Sequence, residues 1–368
     1  MASDLVVPVV QIENVRVHAN SDNLELCNVL GYQMCIRKGE YKDGQLVVYY
    51  PADVLLTPEL ADRLGVRKFL KGKEQTRVGR IRLRGEPSFG LISPLPEGTW
   101  KLGDNLAEHL HCQKYEPPIR ATAGDAAPRD PLIDPFFEQF TDVQNGRIFT
   151  DIFVDGEEVI YTEKIHGTSG RLGTINGQYV AGSMSVRRKS PTRDEQGIEV
   201  PCQFDSPQMQ QNTYWYPWSI PAVRKLIQTL ELSEKVSDSI KPVILLYGEV
   251  YGGSIQSLDY GIPKGRGLGF RAFGLRVNGK FLDWNDFAAT CQKYGVETVP
   301  VLGRGQFSLS AAQAFSAGKS TMADHIKEGT VVYPVKEREH PKIGRVILKY
   351  IGTEYELSKH KEQDTTDA

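Results

Sequence analysis

The sequence predicts an α+β protein: a small all-β barrel at the N-terminus, followed by a larger domain rich in strands with a few helices. Three observations carry that prediction. The 368 residues set a soft prior of two or three domains and exclude a single small binding module. From Leu5 to about Leu110 short β-rich runs alternate with turn residues, the pattern of a small barrel. At 113–134 that pattern gives way to a linker carrying Pro117, Pro118, Pro128 and Pro131 and the small-residue stretch 121–127.

Composition narrows the class. Hydrophobic residues are 40% and charged residues 24%, which excludes a disordered polymer and a fibrous repeat. Lys plus Arg number 44 against 46 Asp plus Glu, a net charge of -2, so affinity for a polyanion has to come from local patches. Five widely spaced cysteines fit buried thiols in a reducing compartment better than a disulfide framework, and no Cys-x-x-Cys zinc pair is present. The first residues lack a basic leader, Pro8 breaks their apolar run, and no run of eighteen apolar residues follows; a cytoplasmic protein without membrane association is expected.

In the barrel, 1–112, strands are expected at 6–17, 24–30, 32–36, 45–50, 79–83 and 90–93. Between Arg63 and Arg84 lie nine Lys or Arg and one acid, Glu74, a local charge of +8. Charge runs are more often solvated loops than sites, but on a barrel of this size a nucleic-acid face gains weight, with Arg77, Arg80, Arg82 and Arg84 as its contacts. The second domain, 135–358, has expected strands at 159–163, 170–175, 179–186, 243–251, 268–277, 329–335 and 345–351. Helices are expected at 220–230, 284–293 and 309–317, and the acidic-polar tail 359–368 is expected to be disordered.

The chemistry concentrates at Tyr161-Thr-Glu-Lys-Ile-His-Gly-Thr-Ser169, a strand ending in Lys164 before a tight glycine turn. An amine attacks only when neutral, so Lys164 needs burial or neighbouring positive charge to lower its pKa. Alone, such a string is more often a surface lysine before a turn; its companions in order change the reading. Gln313 to Ser320 imitates the end of a phosphate-binding loop, but a helix-like run precedes it where a strand is required. Gly265-Arg-Gly-Leu-Gly269 lacks the spacing of a dinucleotide turn, and His109 with His111 lack further metal ligands.

Glu163-Lys-Ile-His-Gly-Thr168 resembles motif I of the covalent nucleotidyltransferases, in the form used by the RNA ligase 2 group. Further elements follow in that family's order: Ser185-Val-Arg-Arg-Lys-Ser190, Tyr247-Gly-Glu-Val-Tyr-Gly252, Phe270-Arg-Ala-Phe-Gly274, Lys327-Glu-Gly-Thr-Val-Val332 and Val346-Ile-Leu-Lys-Tyr350. The likeness spans about 134–352. With the preceding barrel, the architecture is similar to the Deinococcus-type RNA ligase, which implies an OB-like barrel before a nucleotidyltransferase domain of ATP-grasp-like antiparallel sheets with helices.

The resemblance implies ATP, Mg2+ or Mn2+, and RNA or an RNA/DNA duplex with a nick; no stable protein partner is implied. Lys164 is the expected nucleophile on the ATP α-phosphate. By resemblance Glu163 meets the adenine edge, Phe273 stacks on the purine, and Gly167 belongs to the nucleotide site. Glu249 at a strand end suits ribose hydroxyls and Glu328 a divalent metal, against a bland reading of both as exposed strand-end acids. Arg188 or Arg187, with Lys349, supplies fixed positive charge for the phosphates, and the two arginines also contact nucleic acid. His166 resembles the histidine needed to transfer AMP to the RNA 5′-phosphate. Where the family carries a second motif V lysine this chain has Ile351, with Arg345 or Lys342 as replacements. The alternatives are a DNA ligase, a GTP-using capping-type enzyme, which the nineteen residues after Lys349 leave without a C-terminal OB domain, or an inactive nucleic-acid-binding protein.

Overall fold

The structure, a computed structural model, describes residues 5–115, 134–154, 156–192, 202–234, 241–359 and 364–365. Most of the expected linker and tail lies outside them. The chain forms two compact units: Met1–Ile119 with Gly146–Thr150 and Glu356–Ala368, and Arg120–Asn145 with Asp151–Tyr355.

The first unit is a barrel. Its strands Glu13–Val17, Leu24–Val29 and Tyr32–Arg37 form an antiparallel meander, and Leu46–Tyr50 pairs with both Val9–Gln11 and Leu91–Ser93. Alternation decides which side chains fill it: Tyr32, Met34 and Ile36 are buried while Gln33, Cys35 and Arg37 are not. Cys35 N donates to Ser88 Oγ at 3.1 Å, tying the meander to the strand Glu86–Phe89. Leu30 and Gly31, both at positive φ, make the two-residue hairpin turn. Against that hairpin packs Arg147, its guanidinium 4.7 Å from the Tyr32 ring centroid, so a short segment distant in sequence completes this unit.

The basic run resolves into a helix at Pro58–Arg63, a 3-10 turn at Arg67–Phe69 and the strand Arg80–Leu83. The arginines expected to meet nucleic acid differ in circumstance. Arg80 is committed inward, at 2.7 Å from Glu356, whose side chain is 3% exposed. Arg77 lies 4.2 Å from the Tyr115 ring centroid and 3.8 Å from Asp53. Arg82 donates to the Gly85 carbonyl at 3.0 Å, and Arg84 is exposed. Arg80 thus neutralises a buried carboxylate while 31% of its own side chain stays exposed.

The second unit packs two antiparallel-dominated sheets. One runs Gln144–Asn145, Leu348–Ile351, Gly329–Pro334, Glu158–Lys164, Val301–Gln306; the other Arg187–Arg188, Gln178–Ser183, Thr168–Ile175, Ile244–Tyr251, Gly269–Val277, Lys280–Phe281. Glu158–Lys164 is covered on both faces from Val159 to Glu163, as its nearly continuous apolar run requires. Helices Pro221–Ser233, Trp284–Tyr294 and Leu309–Ser316 form where 3.6-residue periodicity predicts them, and the first two bury Val223, Leu226, Ile227, Phe287 and Cys291 in the shared core. The strand Val301–Gln306 and the short helices Pro207–Gln211 and Tyr216–Ser219 were not expected.

Candidate active site

The site forms where the chain leaves one sheet for the other. Lys164 ends its strand in the five-stranded sheet; Ile165, His166 and Gly167 turn, and Thr168 opens a strand of the six-stranded sheet. Gly167 is required there, because a Cβ would stand 2.2 Å from the Val250 carbonyl oxygen. Across the ladder Lys164 faces Gly329, which carries Glu328 to its side, while Ser169 faces Glu249 on the neighbouring strand. Two carboxylates far apart in sequence thereby meet one lysine.

Lys164 Nζ is 3.0 Å from Glu328 Oε1, and Glu328 Oε2 is 3.2 Å from His166 Nδ1. Glu249 Oε1 accepts the Gly167 N–H at 3.1 Å. The electrostatics oppose the sequence expectation of a lowered lysine pKa. Burial works against the ammonium, but Glu328 and Glu249 outweigh it and hold Lys164 above its ordinary value. Burial likewise works against charge on Glu328, yet Lys164 and His166 bring its carboxyl down to about 2. For Glu249 burial prevails, joined by repulsion from Glu328, and lifts it to about 7 despite the attraction of Lys164. The resting arrangement is an ammonium–carboxylate pair beside a second carboxyl that titrates near neutrality.

Lys164 and Glu249 line a cleft of about 230 Å³ whose other walls include Phe140, Phe273, Val299, Val331, Tyr333 and Lys349. Lys349 sits opposite Val331 on the adjoining strand, between the buried Leu348 and Tyr350. Phe273 is half-buried and stands edge-on to Phe140, with ring centroids 4.7 Å apart. The cleft thus offers aromatic and aliphatic walls with two lysines, Lys164 and Lys349, and three acids, Asp142, Glu163 and Glu249, a setting for a flat ring attached to anionic groups.

Of the residues singled out in the sequence, Lys164, Glu163, Glu249, Phe273 and Lys349 all border this cleft, and Gly167, His166 and Glu328 adjoin it through their contacts. Glu163 differs from expectation in its side chain. It is 1% exposed, and its carboxylate accepts from Ser320 Oγ, from Thr321 N at 2.8 Å and from Thr321 Oγ1 at 2.7 Å. Its carboxylate is thus met by three donors of the chain itself. The segment that mimicked a phosphate loop therefore serves as the seat of Glu163. Arg187 and Arg188 lie on the edge strand of the six-stranded sheet; Arg187 is 3.2 Å from Asp134, and Arg188 is buried with its guanidinium 5.3 Å from the Tyr214 ring centroid. Arg345 forms a two-pronged pair with Glu337, and Lys342 pairs with Asp151, so both candidate replacements for the second lysine already hold acids. Sequence reasoning missed Tyr260 and Tyr355, whose hydroxyls contact His166; both lie outside every recognisable motif.

A barrel and a two-sheet domain with a lysine at the sheet junction define a mixed α+β architecture. Residues 157–351 match the RNA ligase family model, and residues 6–95 match an OB-fold domain model. The match covers more than half of the chain, and the protein belongs to the RNA ligase family. Solved structures of Naegleria gruberi RNA ligase share the whole fold. The form with PPi is 22% identical with a TM-score of 0.68, covering 97% of this chain and 99% of that one. Variants with ATP and Mn and with AMP and Mn are each 21% identical with a TM-score of 0.67, at the same coverage. No curated protein matches the chain. No helix among the described residues is long and apolar enough to cross a membrane.

Proposed function

We propose that this protein is an ATP-dependent RNA ligase that seals 3′-OH/5′-phosphate breaks through lysyl-AMP and RNA-adenylate intermediates. The observation that carries the reading is Lys164 at 3.0 Å from Glu328 at the edge of an aromatic cleft that also holds Lys349. The Lys164 amine attacks the ATP α-phosphate; an N–P bond forms, the bond to the β-phosphate oxygen breaks, and pyrophosphate leaves. AMP then passes to the RNA 5′-phosphate, with the N–P bond broken and a pyrophosphate linkage made. Attack by the 3′-OH forms the phosphodiester and releases AMP. Phe273 provides the purine's stacking face, Lys349 and Arg188 supply positive charge toward the phosphates, and His166 serves AMP transfer. The ATP-, AMP- and PPi-bound forms of the Naegleria enzyme support the nucleotide assignment.

The oxygen donors Glu328 and Glu249 suit a hard divalent cation. Mg2+ or Mn2+ is commonly held by one or two carboxylates together with substrate phosphates, a role these side chains could fill. Such a cation, when bound, neutralises phosphate charge. As in the Deinococcus-type enzyme that the sequence resembles, nicks in duplexes with RNA on the 3′-OH strand are the proposed substrate. Incubation with α-labelled ATP, GTP or NAD and a divalent cation, followed by denaturing electrophoresis, tests the reading. Label from ATP alone is expected; label from GTP would select a capping-type enzyme, and no label an inactive binding protein.

A further inference from the structure

His166 is held more tightly than a turn residue needs. Its side chain is 8% exposed, and its Nδ1 is 3.2 Å from Glu328 Oε2 and also 3.2 Å from the Tyr355 hydroxyl. Its backbone N–H donates to the Tyr260 hydroxyl at 2.6 Å. Both anchoring contacts to the ring converge on Nδ1, whereas Nε2 is buried with no partner among the described residues. A buried ring nitrogen without a partner costs stability, a cost that a bound phosphate oxygen within reach would offset. Of the two Nδ1 neighbours, Glu328 is shared with Lys164, whose charge disappears when the phosphoramidate forms. Tyr355 carries no charge, and its contact with His166 does not depend on the state of the lysine.

We propose that Tyr355 is a positioning residue for AMP transfer: its hydroxyl, with Tyr260 fixing the backbone, holds the His166 ring so that Nε2 faces the reacting phosphate once Lys164 is adenylylated. The inference rests on the assignment of His166 to that step. It predicts an effect confined to one half of the reaction, because Lys164 is not among the hydrogen-bond partners of the Tyr355 hydroxyl.

The test uses the full chain with Tyr355→Phe, which keeps the ring that stands edge-on to His166 at 5.8 Å and removes only the hydroxyl. Formation of lysyl-AMP from labelled ATP is expected within about twofold of wild type, while single-turnover transfer from preformed enzyme-AMP to a 5′-phosphorylated RNA nick slows about tenfold. Adding Tyr355→Phe to His166→Ala should slow transfer no further, since a residue acting through another has nothing left to position. Wild-type transfer in Tyr355→Phe, equal losses in both steps, or an additive loss in the double variant would each overturn the proposal. If His166→Ala itself transfers AMP normally, the underlying assignment of His166 fails instead, and that result is read independently of Tyr355.

Discussion

Lys164 rests as an ammonium because two carboxylates outweigh the penalty of its burial, which makes nucleophilicity a property that substrate binding has to release. Its identity as nucleophile is tested by Lys164→Ala and Lys164→Arg, both expected to fold and to form no labelled enzyme-AMP on denaturing gels. Alanine lacks the amine, and a guanidinium stays protonated at any usable pH. Glu249 gives a second prediction at this scale. Its carboxyl titrates near 4.5 in the unfolded chain and at about 7 in the folded one, so between these values the folded state binds more protons. Stability attributable to this group therefore falls as pH rises from about 4.5 to 7 and is level above, a loss on the order of 3 kcal/mol. Glu249→Gln removes the titration while keeping an acceptor for Gly167 N–H. Urea midpoints of the variant should exceed wild type increasingly from pH 5 to 7.5; parallel curves would place the titration elsewhere.

Elements bring the site together, and they also show what sequence could reveal. The strand-turn-strand around Lys164 was legible because a β-rich run, a lysine and a glycine turn are local signals. The meeting of Glu249 and Glu328 at that lysine depends on register between strands more than eighty residues apart in sequence, which ordered motifs imply but spacing cannot measure. The seat of Glu163 at Ser320 and Thr321 was hidden for the same reason. The helix Pro58–Arg63 lay outside the expected elements although Thr57 caps it by accepting from Leu60 N and Pro58 opens it; six residues are too few to show an apolar period. Arg80 shows how charge counting misleads. The strand Arg80–Leu83 aims it at a carboxylate that is 3% exposed, making it part of the fold of the barrel unit. Arg80→Ala should lower stability by about 2 kcal/mol in chemical denaturation, because the buried Glu356 carboxylate loses the guanidinium that stands 2.7 Å from it. Arg80→Ala with Glu356→Gln should recover most of that loss, and Arg84→Ala should stay within about 0.5 kcal/mol of wild type. Equal stability of Arg80→Ala and wild type would show that the pair with Glu356 contributes nothing to the fold of the barrel unit.

For the molecule as a whole, a net charge of -2 means that RNA is gripped by local patches, so sealing should weaken as salt rises and counterion release is lost. Contacts to phosphate locate a break without reading sequence, and an RNA ligase has to recognise its substrate by some feature other than base identity. Ribose at the 3′-OH end supplies two such features. It favours A-form pucker and adds a 2′-hydroxyl, both readable through shape and hydrogen bonding. The attacking 3′-oxygen belongs to that ribose, so its pucker sets the line of attack on the adenylylated phosphate. In an in-line attack the ribose on the 5′-phosphate side hangs from an equatorial oxygen of the attacked phosphorus, off the line between the 3′-oxygen and the leaving AMP, and has less leverage. One or two ribonucleotides at the 3′-OH terminus of an otherwise DNA nick are therefore expected to restore sealing to the level of an all-RNA strand. Ribonucleotides confined to the 5′-phosphate strand should change it less than about threefold, a margin below 1 kcal/mol in the barrier. Ligated product, measured with each strand substituted separately at fixed salt, decides the matter. Equal sealing of an all-DNA nick would show that neither pucker nor the 2′-hydroxyl is sensed, and would move the proposed substrate from RNA ends to duplex breaks of either sugar.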